Sequence, residues 1–313
     1  MKTTAIAHPN IALIKYWGKR DEGQALPYTD SVSITWEGLH TKTTLKTADA
    51  FSFVLNGQVA PSQAVDKVKA FLRFFTDSLE TVAVESENTV PTGAGFASSA
   101  SAFAALGVAA NHFFKTGFSE RELQTIVRRG SGSAIRSLYG GAVTFKRDGY
   151  AYPFEASLQN IALIPVLVDA SMKTLSSREA MKRSVETSPF YTSFVTLSNA
   201  DAPKMKAALE KGALDTIGAL SETHAHALHA TMDTAQPPFR YLNDASYRVM
   251  AFVRSLRSRG FKAYYTMDAG PNVKVLTPVF QADEIERLLL EAGFETLGIL
   301  RPARKGARII DDD

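Results

Sequence analysis

This 313-residue chain predicts an α+β fold in two parts, on three observations. The first third reads as strands and tight turns. A β-like segment then runs through two glycines and a serine-rich turn into a long helix of small residues. From about residue 160, strands and helices follow one another in mixed order, as in helices packed on sheets rather than a regular parallel winding. The length suffices for two well-buried cores, and the change of pattern at about 155–170 divides the chain into 1–165 and 166–313.

In chain order, AHPNIALIKYWGKRDE (7–22) begins as a strand and ends in the cluster Lys15, Tyr16, Trp17, Lys19 and Arg20. Ser31, Ser33 and Thr35 alternate with Val32, Ile34 and Trp36, the period of a strand. Asn56-Gly57 between apolar flanks signals a type I′ hairpin. A helix over 65–79 and a strand over 81–90 precede the small-residue helix SSASAFAALGVAANHFF (98–114). Ser119-x-x-Glu122 is a capping box opening a helix that ends near Arg129-Gly130. Asp148-Gly149 marks another hairpin. Beyond residue 160 come a strand (IALIPVLVDA), helices over 202–211 and 213–232, and a helix from Asn243 closed by Gly260. The strands FKAYYTM and VKVL, a helix at QADEIERLLLEAG and a last strand complete the chain, with Asp311, Asp312 and Asp313 expected as a solvated tail.

Composition excludes several classes of function. With 45% apolar and 21% charged residues the chain is neither disordered nor fibrous. Its 35 basic and 32 acidic residues give a formal charge of +3, too little for a broad field toward nucleic acid or an anionic membrane. An anionic ligand must therefore be gripped by local cations. The absence of cysteine removes disulfides, thiolate metal sites and cysteine nucleophiles. The start MKTTAIAHPN lacks an apolar signal core, and runs such as IALIPVLV are too short to span a bilayer, so a soluble cytoplasmic protein is expected.

The most informative stretch is PTGAGFASSAS (91–101). A strand, two glycines and a helix start aim backbone N–H groups and the positive end of a helix dipole at one place, beside serine hydroxyls. Gly93 and Gly95 let the backbone approach a phosphate closely, and Ala97, Ala100 and Ala102 add no bulk. The loop lacks the lysine of a Walker A motif. It also has Ser98 where a dinucleotide fingerprint has its third glycine.

A second turn, RRGSGSAIRSLYGG (128–141), offers Ser131, Ser133 and Arg136 as another anion cradle. Lys15, directly after the run Ile11 to Ile14, is placed at the edge of a core, where a partly desolvated lysine partners a carboxylate or phosphate. Asp268, in YYTMDAGPNVKVL, stands where a strand stops and a Gly-Pro turn begins, a position that suits a base for phosphoryl transfer. Each of these taken singly has a structural alternative: an Ala-rich core helix, a helix C-cap, a lysine extending to solvent, an Asp turn. His224, His226 and His229 crowd one helix, but only His226 and His229 share a face. No carboxylate or cysteine stands at ligand spacing, which argues against a metal site.

In order and spacing, NIALIKYWGKRDE (10–22), PTGAGFASSAS (91–101), GSGSAIRSLYGG (130–141), ETSPFY (186–191) and MDAGPNVK (267–274) resemble the diphosphomevalonate decarboxylases. These belong to the small-molecule kinase superfamily of galactokinase, homoserine kinase and mevalonate kinase. The resemblance implies a two-domain GHMP kinase fold, with an N-terminal domain like ribosomal protein S5 domain 2, a ferredoxin-like C-terminal domain and the active site in the cleft between them. It implies ATP-dependent decarboxylation of (R)-5-diphosphomevalonate, ATP and Mg²⁺ as cofactors, and a homodimer without nucleic acid or membrane partners.

By the same resemblance Asp268, Lys15 and Arg136 are catalytic. Tyr16, Trp17, Gly18, Lys19, Lys67, Ser131, Gly132, Ser133, Thr187 and Ser188, with Arg136, bind substrate. Pro91, Gly93, Ala94, Gly95, Ala97, Ser98, Ser99 and Ser101 bind ATP, and Ser98 could also help hold Mg²⁺. Two departures, Phe96 for a common leucine and Gly93 for a common alanine, keep the loop small. Lys67 stands where some relatives have arginine. The rivals are a kinase of the same superfamily that stops after phosphoryl transfer and a silent metabolite sensor that binds without turnover.

Overall fold

The structure is a computed structural model that describes residues 1–89, 98–169 and 175–312. The first part contains β1 (Lys2–Ala7), β2 (Asn10–Ile14), β3 (Lys19–Asp21), β4 (Leu26–Pro27), β5 (Ser31–Glu37), β6 (Thr41–Thr47), β7 (Ser52–Leu55) and β8 (Gln58–Val59). It continues with α1 (Ser62–Leu72), β9 (Val82–Asn88), α2 (Ser98–Phe113), α3 (Glu120–Gly130), α4 (Ala134–Ser137), β10 (Ala142–Phe145) and β11 (Ala151–Phe154). The second part has β12 (Ile161–Leu167), α5 (Ser177–Thr187), α6 (Tyr191–Lys211), α7 (Leu214–Asp233), α8 (Asp244–Ser258), β13 (Tyr264–Met267), β14 (Val273–Pro278) and α9 (Val279–Glu291). It ends with β15 (Glu295–Thr296), β16 (Arg301–Pro302) and β17 (Arg308–Asp312).

Most local signals act as read. Asn56 and Gly57 have φ of 50° and 75°, the left-handed pair a type I′ turn needs, and join β7 to β8. Ser119 and Glu122 form the full capping box of α3. At Asp148-Gly149 only the glycine has positive φ (91°), so this hairpin turns differently from the first. β5 alternates in sequence, yet all its residues but Glu37 are buried. It lies inside a sheet, flanked by β2, β10 and β16, and both faces are covered. Helix α6 starts at Tyr191 rather than near 202 and runs through Pro203, because Phe194 and Ser198 of its first half are drawn into the core.

The sheets explain how distant segments meet. One sheet has the order β17-β1-β6-β9-β7-β8, a second is built on β11-β10-β5-β16 with β2 also on β5, and a third runs β13-β14-β12-β15. A division at residue 165 would cut β12, which lies wholly in the third sheet, and β16 and β17 return to the sheets of the first part. The expected acidic tail is therefore mostly strand: Asp311 pairs with Thr4 and its carboxylate takes Lys2 at 2.6 Å.

Helix α2 lies on β1 and β6, its Ala100, Ala104 and Ala105 fully buried, so that small side chains bring it close to the strands. One core joins the two parts: Leu13, Ile14, Val32, Ile34 and Trp36 pack with Leu163, Met205, Leu209, Ile217 and Leu276. Burying each such side chain contributes about 1.5–3 kcal/mol. This core fixes the end of β2 against the end of β13.

Gly218 of α7 makes that approach tight, since a Cβ there would fall 2.0 Å from the Tyr264 ring. Gly218→Ala is expected to destabilise the protein by about 1–3 kcal/mol, read as a lower denaturant midpoint at unchanged slope. No described helix is long and apolar enough to cross a membrane.

Candidate active site

Lys15 is the first residue after β2 and Asp268 the first after β13, so two strand ends from opposite parts of the chain converge. Lys15 is 1% exposed, and its Nζ donates to the Ala12 carbonyl at 2.8 Å and to Asp268 Oδ1 at 2.9 Å. Lys274 of β14, fully buried, brings its Nζ to 3.2 Å from Asp268 Oδ2. That contact is a charge pair without hydrogen-bond geometry, and Oδ2 has no hydrogen-bond partner among the described residues. Both oxygens of Asp268 thus face a lysine, Oδ1 through a hydrogen bond and Oδ2, itself buried, through charge. Its side chain remains a quarter exposed, open to an incoming group.

Burial alone would raise the Asp268 carboxyl, but Lys15 and Lys274 outweigh it and hold the group well below the usual carboxylate range. Burial lowers Lys15 to about 8, with Asp268 opposing and Lys274 and Arg136 adding to the fall. Asp268, with its folded pKa depressed, contributes stability that is complete above about pH 4 and lost as the pH drops toward the folded value. Lys15 acts in the other sense: from pH about 8 to the usual lysine value the unfolded chain binds more protons, so its unfavourable burial is relieved as pH rises.

Arg136, on the short helix α4, is 3% exposed. Its Nε donates to Asn10 Oδ1 at 2.9 Å and one terminal nitrogen donates to Ser31 Oγ at 2.5 Å. Asn10 is itself fixed, since its Nδ2 donates to Ser137 Oγ at 2.7 Å and to the Ser133 carbonyl at 3.0 Å. Among the described residues no carboxylate forms an ion pair with Arg136. Burial lowers its guanidinium to about 10, although Asp268 and Tyr16 oppose the fall. Among the described residues Asp268 is the carboxylate paired with Lys15 and Lys274 and none is paired with Arg136, a local excess of positive charge that an anion would neutralise.

Beside them, the Tyr16 ring packs at a 50° tilt against Phe145 and faces Arg136, and its buried hydroxyl has no hydrogen-bond partner among the described residues. Gly132 lies against that hydroxyl, where a Cβ would come within 2.2 Å of the oxygen. Ser131 and Ser133 hydroxyls are 3.2 Å apart, and Ser99 at the start of α2 is 3.4 Å from Ser131. The turn after α3 thus connects the helix behind the glycine loop to the Lys15 cluster.

The family profile described as "Diphosphomevalonate decarboxylase-like N-terminal domain" matches residues 7–152, and "Mevalonate 5-diphosphate decarboxylase C-terminal domain" matches 162–296. The chain belongs to the diphosphomevalonate decarboxylase family. A diphosphomevalonate decarboxylase of Ganoderma lucidum is 33% identical over 93% of this chain and 82% of its own. Mevalonate diphosphate decarboxylase from Staphylococcus aureus superposes with a TM-score of 0.91 at 35% identity, covering 99% of this chain and 98% of the other. A structure described as MDDEF in complex with MVAPP, AMPPCP and magnesium gives 0.92 at 35%, over 100% and 99%.

Within this decarboxylase-family site the expected residues separate into groups. Asp268, Lys15, Arg136, Tyr16, Gly132, Ser131 and Ser133 come together as described. Trp17 and Gly18 belong to the wall: the Tyr191 hydroxyl donates to the Trp17 carbonyl at 2.9 Å, and Gly18, with φ of 94°, leaves room for that hydroxyl. Lys19 Nζ is taken by Glu22 at 3.0 Å. Lys67 is exposed on α1, and no contact among the described residues joins it to the cluster.

Three of the expected hydroxyls make hydrogen bonds within the protein. Ser101 is fully buried, bonded to Thr41 Oγ1 at 2.8 Å and to the Ser98 carbonyl at 3.2 Å. Thr187 Oγ1 donates to the Arg183 carbonyl and accepts from Gln236 N. Ser188 Oγ is 2.7 Å from Thr234 Oγ1, tying the end of α5 to the end of α7. Pro91, Gly93, Ala94, Gly95 and Ala97 lie outside the described residues.

Sequence reasoning missed Lys274, Asn10 and Ser31. Lys274 stands within MDAGPNVK, but its place opposite Thr266, two residues from Asp268, is set by the register of β13 and β14. Asn10 and Ser31 had no local signal, because each reaches Arg136 only through the sheet pairing of β2 with β5. The three histidines go to separate partners: His224 to Asp201, His226 to Tyr265, and His229 to the Asp268 carbonyl.

A pH profile follows. The rate constant kcat/KM is expected to fall on the alkaline side with a midpoint near pH 8 as Lys15 loses its proton, with no acid limb from Asp268 above pH 4. Lys274→Met removes a cation that lowers Lys15, so the midpoint should move up. A downward or unmoved midpoint would contradict this assignment.

Proposed function

We propose that the chain converts ATP and (R)-5-diphosphomevalonate into isopentenyl diphosphate, carbon dioxide, ADP and phosphate, in the mevalonate route to isoprenoids. The observation that carries this reading is a single, partly open carboxylate held between two buried lysines beside a buried guanidinium that lacks a carboxylate partner. The substrate's tertiary 3-hydroxyl approaches Asp268, and its oxygen attacks the γ-phosphorus of ATP, releasing ADP. Asp268, held so acidic, is a poor base for an alcohol. It orients the hydroxyl and accepts the proton late, once the oxygen has bonded to phosphorus.

Decarboxylation then needs the new phosphate to depart with the C–O electron pair. The pair from the C–C bond to the carboxylate becomes the new double bond, and carbon dioxide leaves. Arg136, its fork set by Asn10 and Ser31, orients that carboxylate, while Lys15 and Lys274 offset the charge on the departing phosphate. The Tyr16 hydroxyl, Ser131, Ser133 and Lys19 serve the diphosphate, with Trp17, Gly18 and Gly132 shaping the wall. The 91–97 loop, Ser98 and Ser99 serve the ATP phosphates.

Mg²⁺ would arrive on the nucleotide, with a hydroxyl such as that of Ser98 as a protein ligand. When bound, Mg²⁺ neutralises phosphate charge. We place the protein in the cytoplasm as a homodimer, a state that sedimentation would read.

The test is to follow carbon dioxide and ADP together from purified protein, Mg-ATP and 5-diphosphomevalonate. Equal release supports the reading. ADP without carbon dioxide means a kinase that stops at phosphoryl transfer, and nucleotide binding without either product means a silent sensor.

A further inference from the structure

The turn that carries Asp268 is clamped from three sides. From α8, Ser246 Oγ donates to the Pro271 carbonyl at 2.6 Å. From the end of β12, Val168 N and Asp169 N donate to Asn272 Oδ1 at 2.5 and 3.0 Å. From α7, His229 Nε2 lies 3.1 Å from the backbone carbonyl of Asp268 itself, which also accepts from Gly270 N at 2.8 Å. Of the three side-chain clamps, only the histidine reaches the peptide that carries the carboxylate.

We propose that His229 is a positioning residue for Asp268, donating from Nε2–H to its backbone carbonyl and so fixing the direction in which the carboxylate meets the substrate hydroxyl. A carbonyl oxygen can only accept, so the proton must sit on Nε2. The ring is 6% exposed, and burial pushes its imidazolium down to about 3, with Lys15 adding to the fall and Asp268 opposing it. His229 is thus a neutral donor that brings no further positive charge to a cluster already rich in it. The geometry explains why α7 must pack closely on β13: the helix reaches under the turn and holds it, without touching substrate. Misplacing a reacting group by about 1 Å can cost on the order of 100-fold in rate, which sets the scale of the effect.

This inference rests on the proposed reaction for its kinetic readout, and its spectroscopic readout is independent of it. His229→Leu keeps bulk and removes the donor. It is expected to lower kcat by roughly 10- to 100-fold with both KM values within about threefold of wild type. His229→Gln, whose amide nitrogen reaches about as far as Nε2, should recover most of that loss. A loss that appears in KM alone, or equal losses in soluble, folded His229→Leu and His229→Gln proteins, would overturn the proposal. In wild-type protein labelled with ¹⁵N-histidine, two-bond correlation spectra at pH 7.5 should show His229 as the neutral Nε2–H tautomer. The Nδ1–H tautomer or an imidazolium would overturn the proposal even if the substrate were wrongly assigned. A wild-type protein that forms no product while showing the Nε2–H tautomer would overturn the proposed reaction and leave the hydrogen bond standing.

Discussion

Asp268→Asn is expected to cut ADP and carbon dioxide release together by roughly 10³-fold or more. The asparagine keeps the size of the side chain but accepts no proton. It also removes the only carboxylate paired, among the described residues, with Lys15 and Lys274. Breaking a buried pair typically costs about 3–5 kcal/mol. Here the cost should be smaller, because Lys15, already lowered to about 8, can shed its proton. The measurement is parallel product release plus a denaturant titration at pH 7 and pH 9, with the stability deficit shrinking at the higher pH. Activity within tenfold of wild type in a folded Asp268→Asn protein would remove Asp268 from the chemistry.

Arg136→Gln should separate activity from stability. The guanidinium is buried with two neutral acceptors and no ion-paired carboxylate among the described residues, so it costs the folded protein desolvation that a ligand anion offsets only on binding. We expect kcat/KM for product formation to fall by about 10²- to 10³-fold, while the melting temperature stays unchanged or rises. Arg136→Lys should rescue little, because an ammonium cannot serve Asn10, Ser31 and a carboxylate in one plane. A large drop in stability would show that Arg136 chiefly supports α4. In that event its assignment to the substrate carboxylate would fail.

The site was legible where chemistry is local in sequence. Asp268 at a strand end, Lys15 behind an apolar run, and the Gly-Ser turn before Arg136 each announce themselves by neighbours within a few residues. What escaped depends on sheet register. Lys274 joins the cluster because β14 returns antiparallel to β13, and Asn10 and Ser31 reach Arg136 because β2 and β10 both pair with β5. The internal hydrogen bonds of Ser101, Thr187 and Ser188 were hidden for a related reason, since a hydroxyl in a motif does not reveal which neighbours the fold brings to it. In the fold, capping boxes and the Asn-Gly turn were readable from single side chains. The full length of α6 was not, because its start is decided by burial of Phe194 and Ser198 rather than by local propensity.

The return of β16 and β17 to the first part of the molecule bears on how the protein is made. During synthesis the first part emerges early, yet β1 has one edge without its partner until the chain has been translated through Arg308–Asp312. Between those events an unpaired strand edge is exposed, a template for association with other chains. Removing Arg308–Asp312 would therefore be expected to lower the yield of soluble protein more than its intrinsic turnover. Strand β17 acts as the closing latch of a sheet begun some three hundred residues before, at β1.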